Sequence, residues 1–245
     1  MKIKVINPNT TLEMTKSIDD AAKNIARTDT EIFSVSPTMG PESIESYYDD
    51  YMSIPGILDE IKKGDQEGFE AYVIACYADP GVHAARELTS APVLGIAEAS
   101  LYLASILAAR FSIITTPYRM KTVTEDLIQH YGMNHRVQKI KALPIAVIDF
   151  EKNPSCANLL KEEAIKSVQE DDAEAILLGC AGMAQFAEDL QNDLGVPVID
   201  GVVAAVKIAE SIVDMHQATS KLKTYDFPEI KSQSGLLESF SINKK

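Results

Sequence analysis

Short apolar runs alternate with longer amphipathic stretches along most of the chain. The apolar runs are typical of buried parallel strands, and the stretches between them have the spacing of crossover helices. We predict strands near residues 2–7, 31–35, 71–76, 92–96, 111–115, 144–149, 174–179 and 197–199. Helices are predicted near 10–26, 41–63, 80–89, 98–109, 117–131, 154–170, 182–193 and 201–215. This alternation predicts an α/β protein.

Several predicted helices begin with a recognisable capping pattern. Thr10 and Glu13 have the spacing of a capping box at the start of the first helix. Elsewhere an N-cap residue precedes a proline at the first helical position. These pairs are Asp79-Pro80, Thr116-Pro117 and Asn153-Pro154.

The two halves of the chain resemble each other. Residues 73–76 match residues 177–180, which lie 104 positions later, and residues 92–95 match residues 197–200 at a spacing of 105. The repeat predicts two pseudo-symmetric lobes, each a mostly parallel sheet flanked by helices, with an active site in the cleft between them. The alternative is chance similarity, because any α/β protein repeats apolar strands.

The repeat also predicts where the lobes begin and end. Lobe one would combine residues 1–97 with 201–220, and lobe two would cover 98–200. The polar segment 221–245 would form a C-terminal tail that packs on the surface or on a neighbouring subunit.

Composition narrows the range of functions. The chain has 245 residues, 46% of them hydrophobic, which is enough for a substantial core. Its formal net charge of −13 argues against nucleic acid or an anionic membrane as a partner. The sequence shows neither a long uncharged apolar run nor a signal peptide, so we expect a cytoplasmic protein with its three cysteines as thiols. A small molecule is the expected partner.

Two cysteines occupy equivalent places in the two halves. Cys76 and Cys180 each end an apolar run and precede small residues and a predicted helix. Ligands of parallel α/β sheets bind at the carboxyl ends of strands, so these thiols are expected to face one ligand from opposite sides, as in a two-base racemase. The alternative is that both are ordinary buried cysteines. Helix starts after both residues would favour the thiolate, whereas Cys156 has no counterpart and is interpreted as structural.

Four other positions are weaker candidates. Asn9 and Thr116 follow strands in the two halves, and each would either bind a ligand or cap a helix. Asp79 is better explained as an N-cap than as an acid or base. Ser43 lies at another predicted helix start, beside tyrosines that would line a pocket or simply pack.

Several common mechanisms lack their motifs. The sequence contains no GxGxxG, GxxxxGK[ST], GxSxG or HExxH pattern. Its four histidines are scattered, and His130 and His135 do not share a helical face. We therefore expect no metal in the site.

The same segments carry a family resemblance that extends over residues 1 to about 220. The chain resembles the hydantoin and allantoin racemases of the aspartate/glutamate racemase superfamily. The matching segments are 5–10, 73–81, 85–88, 92–99, 110–116, 178–183 and 196–201. Tyr77-Ala78 stands where many relatives have Phe-Gly. Relatives also vary in where the proline falls in the segment that is Thr116-Pro117-Tyr118-Arg119 in this chain.

The resemblance implies a cofactor-independent isomerase that racemises C5 of 5-substituted hydantoins, with allantoin a leading candidate substrate. Cys76 and Cys180 would be its acid/base thiols. The resemblance also implies a homo-oligomer. The residues implied to hold the ring are Asn9, Ser43, Tyr77, Ala78, Thr116, Ala181 and Gly182.

Two alternatives remain open at this stage. One is another enzyme of the superfamily: an amino-acid racemase, a maleate-type isomerase or a malonate-type decarboxylase. The amino-acid racemases carry Asp-Ser and Cys-Asn-Thr or Cys-Thr-His patterns that are absent here, and the decarboxylases keep one cysteine. The other is a two-lobed solute-binding protein, which would need no reactive thiols.

Overall fold

A computed structural model describes residues 1–150, 153 and 155–242. Within these residues the strands are β1 (Lys2–Ile6), β2 (Glu31–Val35), β3 (Ala71–Ile74), β4 (Val93–Gly95), β5 (Phe111–Thr115), β6 (Val137–Ala142), β7 (Ile176–Gly179) and β8 (Val198–Asp200). The helices of the same residues are α1 (Leu12–Ile25), α2 (Tyr47–Glu67), α3 (Val82–Leu88), α4 (Ile96–Leu107), α5 (Met120–His130), α6 (Ser155–Gln169), α7 (Ala187–Leu194) and α8 (Gly201–Asp214). Short 3₁₀ helices cover Val147–Asp149, Ala181–Phe186 and Gly235–Phe240.

The strands form two parallel sheets of the same topology. One has the order β2-β1-β3-β4 and the other β6-β5-β7-β8. In the first sheet Ile6 pairs with Ile74, and in the second Thr115 pairs with Gly179. Strands β1 and β3 are therefore neighbours in the first sheet, and β5 and β7 are neighbours in the second. Strand β3 ends just before Cys76, and β7 ends just before Cys180. The predicted α/β fold with two similar lobes is confirmed.

Helices α4 and α8 lie between the sheets and contact strands of both. Their inward-facing apolar residues, such as Leu101 and Val206, are fully buried in a core that continues from one sheet to the other. The helices meet at their first residues, because a Cβ built on Gly201 would lie 2.7 Å from the Ile96 carbonyl oxygen. Because both helices pack on both sheets, these contacts do not assign either helix to one lobe. The predicted lobe boundaries therefore remain a prediction.

The strand predicted at 144–149 is wrong. The strand beside β5 is β6, at Val137–Ala142, and it is an edge strand whose residues are half-buried or exposed. Polar residues alternate with apolar ones there, so the local apolar signal is weak. The more apolar segment that follows is buried for a different reason: part of it, at Val147, covers the site between the lobes.

The predicted capping patterns are wrong in their details. Helix α1 begins at Leu12, so the predicted cap Thr10 lies one residue before the N-cap position, and its hydroxyl donates to the Pro41 carbonyl oxygen at 3.3 Å. Helix α3 begins only at Val82, after Gly81 with φ of 67°. Helix α5 begins at Met120 without a side-chain cap.

The last predicted cap falls at the start of α6. Asn153 accepts hydrogen bonds from the Ser155 N–H and hydroxyl, at 3.0 and 2.7 Å. Pro154 lies outside the described residues. Asn153 therefore acts at a helix start, as predicted from its position.

The described part of the tail packs against α3. The Lys221 ammonium donates to the Arg86 and Glu87 carbonyl oxygens at 2.6 and 3.1 Å, and the Tyr225 ring stacks on His83. None of the helices in the described ranges combines the length and apolar character needed to span a bilayer.

Candidate active site

Both strand-end cysteines line one small cavity between the sheets. Its volume is about 30 Å³, room for only one or two water molecules. The lining residues come from both halves of the chain: Asn9, Met14, Ile44, Ala75, Cys76, Tyr77, Ala78, Thr115, Thr116, Met120, Thr124, Val147, Gly179, Cys180 and Ala181. The structure thus brings both thiols to the same cavity.

The turns after the two cysteines have the same hydrogen bond. The Asp79 N–H donates to the Cys76 carbonyl oxygen at 3.0 Å, and the Met183 N–H donates to the Cys180 carbonyl oxygen at 3.0 Å. Both turns follow parallel strands in sheets of the same order. The equivalence of the two cysteine segments therefore extends to the backbone.

Asp79 holds the Cys76 turn against α4. Its carboxylate accepts hydrogen bonds from the Ala97 N–H at 2.9 Å, the Glu98 N–H at 2.8 Å and the Tyr131 hydroxyl at 2.8 Å. Burial raises the pKa of the Asp79 carboxyl to about 7, although the three hydrogen bonds lower it by favouring the ionised form. Asp79 is a helix cap, as predicted, but it caps α4 instead of the helix that follows it.

The equivalent helix of the second half is capped from a different chain position. Asp200, at the end of β8, accepts from the Val203 N–H of α8 at 2.8 Å. Glycine stands at the matching position of the first half, Gly95, where a Cβ would lie 2.1 Å from the Asp79 Cγ atom. One carboxylate thus caps each helix: Asp79 caps α4 and Asp200 caps α8. The absence of a side chain at Gly95 leaves room for Asp79.

The surroundings of Cys76 favour the neutral thiol over the thiolate. Burial raises the pKa of the thiol above its usual range, a hydrogen bond from the Ala78 backbone opposes the shift, and the nearby Asp50, Cys180 and Asp79 add to it. The expected thiolate-stabilising helix start directly after Cys76 is absent, because α3 begins six residues later at Val82. Ionisation of Cys76 therefore requires a change at the site.

Asn9 and Thr116 both line the cavity, and their polar groups also stabilise the loops that carry them. The side-chain Oδ1 atom of Asn9 accepts from the Thr11 N–H at 2.9 Å, while the side-chain Nδ2 atom faces the sulfur of Met14 at 3.1 Å. Sulfur is a weak acceptor, so this N–H₂ is the part of Asn9 suited to a ligand. The Thr116 hydroxyl donates to the Ile145 carbonyl oxygen.

The other predicted residues divide into two groups. Tyr77, Ala78 and Ala181 line the cavity, and the Tyr77 hydroxyl accepts from Ser100 of α4 at 3.1 Å. Gly182 lies just behind Cys180, since a Cβ built on it would be 3.8 Å from the Cys180 sulfur. Ser43 is half-buried in the loop before α2, next to the lining residue Ile44. Neither Gly182 nor Ser43 belongs to the cavity wall.

Cys156 lies away from the cavity. It is buried at the start of α6, where its thiol donates to the Asp149 carbonyl oxygen at 3.7 Å. All three cysteines belong to the described part of the chain, and all are thiols. The structural interpretation of Cys156 fits this position.

Eight lining residues were not predicted. They are Met14, Ile44, Ala75, Thr115, Met120, Thr124, Val147 and Gly179. Five of them are apolar and buried, so the sequence gives no signal to separate them from ordinary core residues. Their apolar side chains make much of the cavity wall hydrophobic.

Two hydrogen bonds connect the halves of the chain beside the cavity. The Val147 N–H donates to the Glu45 carboxylate at 2.9 Å, and the Tyr47 hydroxyl donates to Asp126 of α5 at 2.6 Å. These two bonds hold the segment before α2, which includes the lining residue Ile44, over the site. A ring of five atoms with a substituent needs more than the cavity's 30 Å³, so groups around the site must shift to admit one.

Comparison with known proteins identifies the family. A model of the Asp/Glu/Hydantoin racemase family matches residues 3–209. The chain belongs to this family. A hydantoin racemase from Pseudomonas sp. (strain NS671) is 62% identical over 245 residues, which cover 100% of this chain and 98% of the relative. One from Rhizobium meliloti is 46% identical, with 96% of this chain and 98% of the relative covered.

Solved structures agree with the membership of this racemase family. An allantoin racemase from Klebsiella pneumoniae has a TM-score of 0.96 and 43% identity, with 98% of this chain and 99% of the other covered. Arylmalonate decarboxylase has a TM-score of 0.64 at 18% identity, over 87% of this chain and 94% of the other, and shares the fold. As a member of the family, the protein is a racemase and therefore an isomerase.

Proposed function

We propose that the protein racemises 5-substituted hydantoins at C5 without a cofactor, using Cys76 and Cys180 as its two acid/base groups. The observation that carries this proposal is the single cavity lined by both cysteines, each on an equivalent turn of one half of the chain. Relatives that cover the whole chain and are named hydantoin racemase support the substrate class.

The chemistry requires two groups on opposite faces of one carbon. One cysteine, as thiolate, removes the C5 proton, and the electron pair of the C–H bond moves into the adjacent ring carbonyl to form an enolate. The other cysteine, as thiol, delivers its proton to the opposite face, and the carbonyl reforms. The reaction ends with the two protonation states exchanged, so the same site runs in either direction.

The backbone supplies stabilisation for the enolate oxygen. Tyr77, Ala78 and Ala181, in the turns after Cys76 and Cys180, line the cavity, so their backbone N–H groups are the candidate donors. Donors directed at a developing oxyanion in a dry site are typically worth about 3 kcal/mol each. No other electron sink is needed, because the ring carbonyl already accepts the charge.

The cavity wall favours hydantoins with apolar substituents at C5. Met14, Ile44, Met120 and Val147 present apolar side chains to the site, which suits an alkyl or aryl group. Allantoin, whose substituent is a polar ureido group, is the second candidate. It is favoured by the likeness to the Klebsiella pneumoniae allantoin racemase, which reaches a TM-score of 0.96.

The proposal is tested by following optical rotation of enantiopure 5-benzylhydantoin, 5-isobutylhydantoin and allantoin, with EDTA, without added cofactor and against an enzyme-free blank. We expect decay to zero rotation, faster for the first two substrates. Loss of rotation no faster than the blank on all three would refute the proposal.

Single cysteine variants test the two-thiol mechanism. We expect Cys76→Ser and Cys180→Ser each to abolish racemisation, since one face of C5 then lacks its acid/base group. In D₂O each variant should still exchange the C5 proton of one enantiomer. Cys156→Ser is the matched control and should keep wild-type activity. Wild-type racemisation by either of the first two variants would refute the assignment.

A further inference from the structure

Asp50 is a carboxylate that the fold buries. It lies in the first turn of α2 and is 8% exposed. Among the described residues, no group hydrogen-bonds to its Oδ1 atom. Burial alone raises the pKa of the Asp50 carboxyl, to about 6. A carboxylate removed from water is costly unless donors replace the water, so its presence needs an explanation.

The other buried carboxylates of the described chain have partners. They are Glu60, Asp79, Asp200 and Glu210, and each accepts from at least one lysine, backbone N–H or hydroxyl. Glu60 is on the same helix as Asp50 and pairs with Lys4 at 2.9 Å. Asp50 is therefore the exception within its own helix.

Asp50 lies near the Cys76 turn, although it is not among the residues that line the cavity. Its charge acts on the Cys76 thiol, whose pKa burial raises and Asp50 raises further. One helical turn later, Ile54 packs on the same turn, since a Cβ built on Gly81 would be 3.1 Å from its Cγ2 atom. Ile44, just before α2, lines the cavity. The N-terminal end of α2 thus places a buried carboxylate close to the segments that form the site.

The negative charge of Asp50 argues against a role for this residue in forming the Cys76 thiolate. A carboxylate that raises the pKa of Cys76 opposes formation of the thiolate. Asp79, which also acts on Cys76, has its three donors and is accounted for by capping α4. What Asp50 lacks is a hydrogen-bond donor, and a hydantoin ring has two N–H groups.

We propose that Asp50 accepts a hydrogen bond from a ring N–H of the bound hydantoin and thereby holds C5 beside Cys76. This inference rests on the proposed function. The bond would give the buried carboxylate its missing donor, and it would draw the negative charge of Asp50 toward the ring and away from the thiol. Substrate binding would then remove part of the opposition to the Cys76 thiolate.

The test combines variants of the enzyme with variants of the substrate. Asp50→Asn should lower kcat/KM for 5-benzylhydantoin by roughly 10- to 100-fold, the usual effect of a hydrogen bond to a charged group. Wild type should lose a similar factor on either the N1-methyl or the N3-methyl derivative. On that derivative Asp50→Asn should lose nothing further, because the bond is already missing. Asp59→Asn, a more exposed carboxylate on the same helix, is the control.

Thermal unfolding separates this role from a structural one. Because the carboxylate is uncompensated, Asp50→Asn should raise the melting temperature while it lowers activity. A lower melting temperature, unchanged kcat/KM, or losses that multiply on both methylated derivatives would refute the role of Asp50. A wild type that racemises no hydantoin would instead refute the proposed function itself.

Discussion

Replacing Gly95 with alanine tests the link between α4 and the turn that carries Cys76. Gly95 has φ of −86° and ψ of 149°, which alanine adopts freely, so the backbone adds no strain. The new methyl group would, however, lie 2.1 to 2.5 Å from the three carboxylate atoms of Asp79. Asp79 would have to leave the N-terminus of α4.

The expected cost follows from two effects. Overpacking a dense interior costs about 1–3 kcal/mol, and loss of an N-cap costs about 1 kcal/mol. Gly95→Ala should therefore lower the free energy of unfolding by about 3 kcal/mol, measured by urea unfolding followed by far-UV circular dichroism. Racemisation should also fall, since the displaced turn carries Cys76.

A double-mutant cycle identifies the cause. In an Asp79→Gly background the clashing side chain is gone, and glycine tolerates the φ of 48° at that position. Gly95→Ala should then change stability by no more than about 0.5 kcal/mol, so the coupling energy is about 2 to 3 kcal/mol. An undiminished cost in the Asp79→Gly background would show that the methyl group meets something other than the carboxylate.

Two further predictions concern stability. Because burial raises the pKa of Asp50 from 3.8 to about 6, wild type should lose about 3 kcal/mol of unfolding free energy relative to Asp50→Asn as the pH rises from below 4 to above 6. Urea unfolding of both proteins across this range measures the difference, and a constant difference would contradict the shift. Gly201→Ala, whose methyl group would lie 2.7 Å from the Ile96 carbonyl oxygen, should cost about 2 kcal/mol in the same assay. A variant as stable as wild type would show that the helix starts can separate.

The parts of the fold that the sequence predicted well are those with a strong local signal. Strands such as β3 and β7 are buried throughout and read as continuous apolar runs. The edge strand β6 was missed, because three of its six residues are polar and its apolar residues are only half-buried. The repeat predicted the paired cysteines, since it records equivalent positions in two similar sheets.

The rest of the site depends on contacts between distant segments. Asp79 was predicted as a cap from its neighbour Pro80, but the helix that it caps begins seventeen residues later, at Ile96. Asp50 resembles any acidic residue near a helix N-terminus, and only its burial without a donor distinguishes it. Such features require the packing of α2 and α4 to be known.

The contact between Ile96 and Gly201 has a geometric consequence. These residues are 105 positions apart, the spacing that relates the two halves of the chain, so a twofold rotation would exchange them. Two positions that a rotation exchanges and that also touch must lie beside its axis. A rotation of one half against the other about this axis would therefore displace these two helix starts least, and residues farther from the axis, such as those that line the cavity, more.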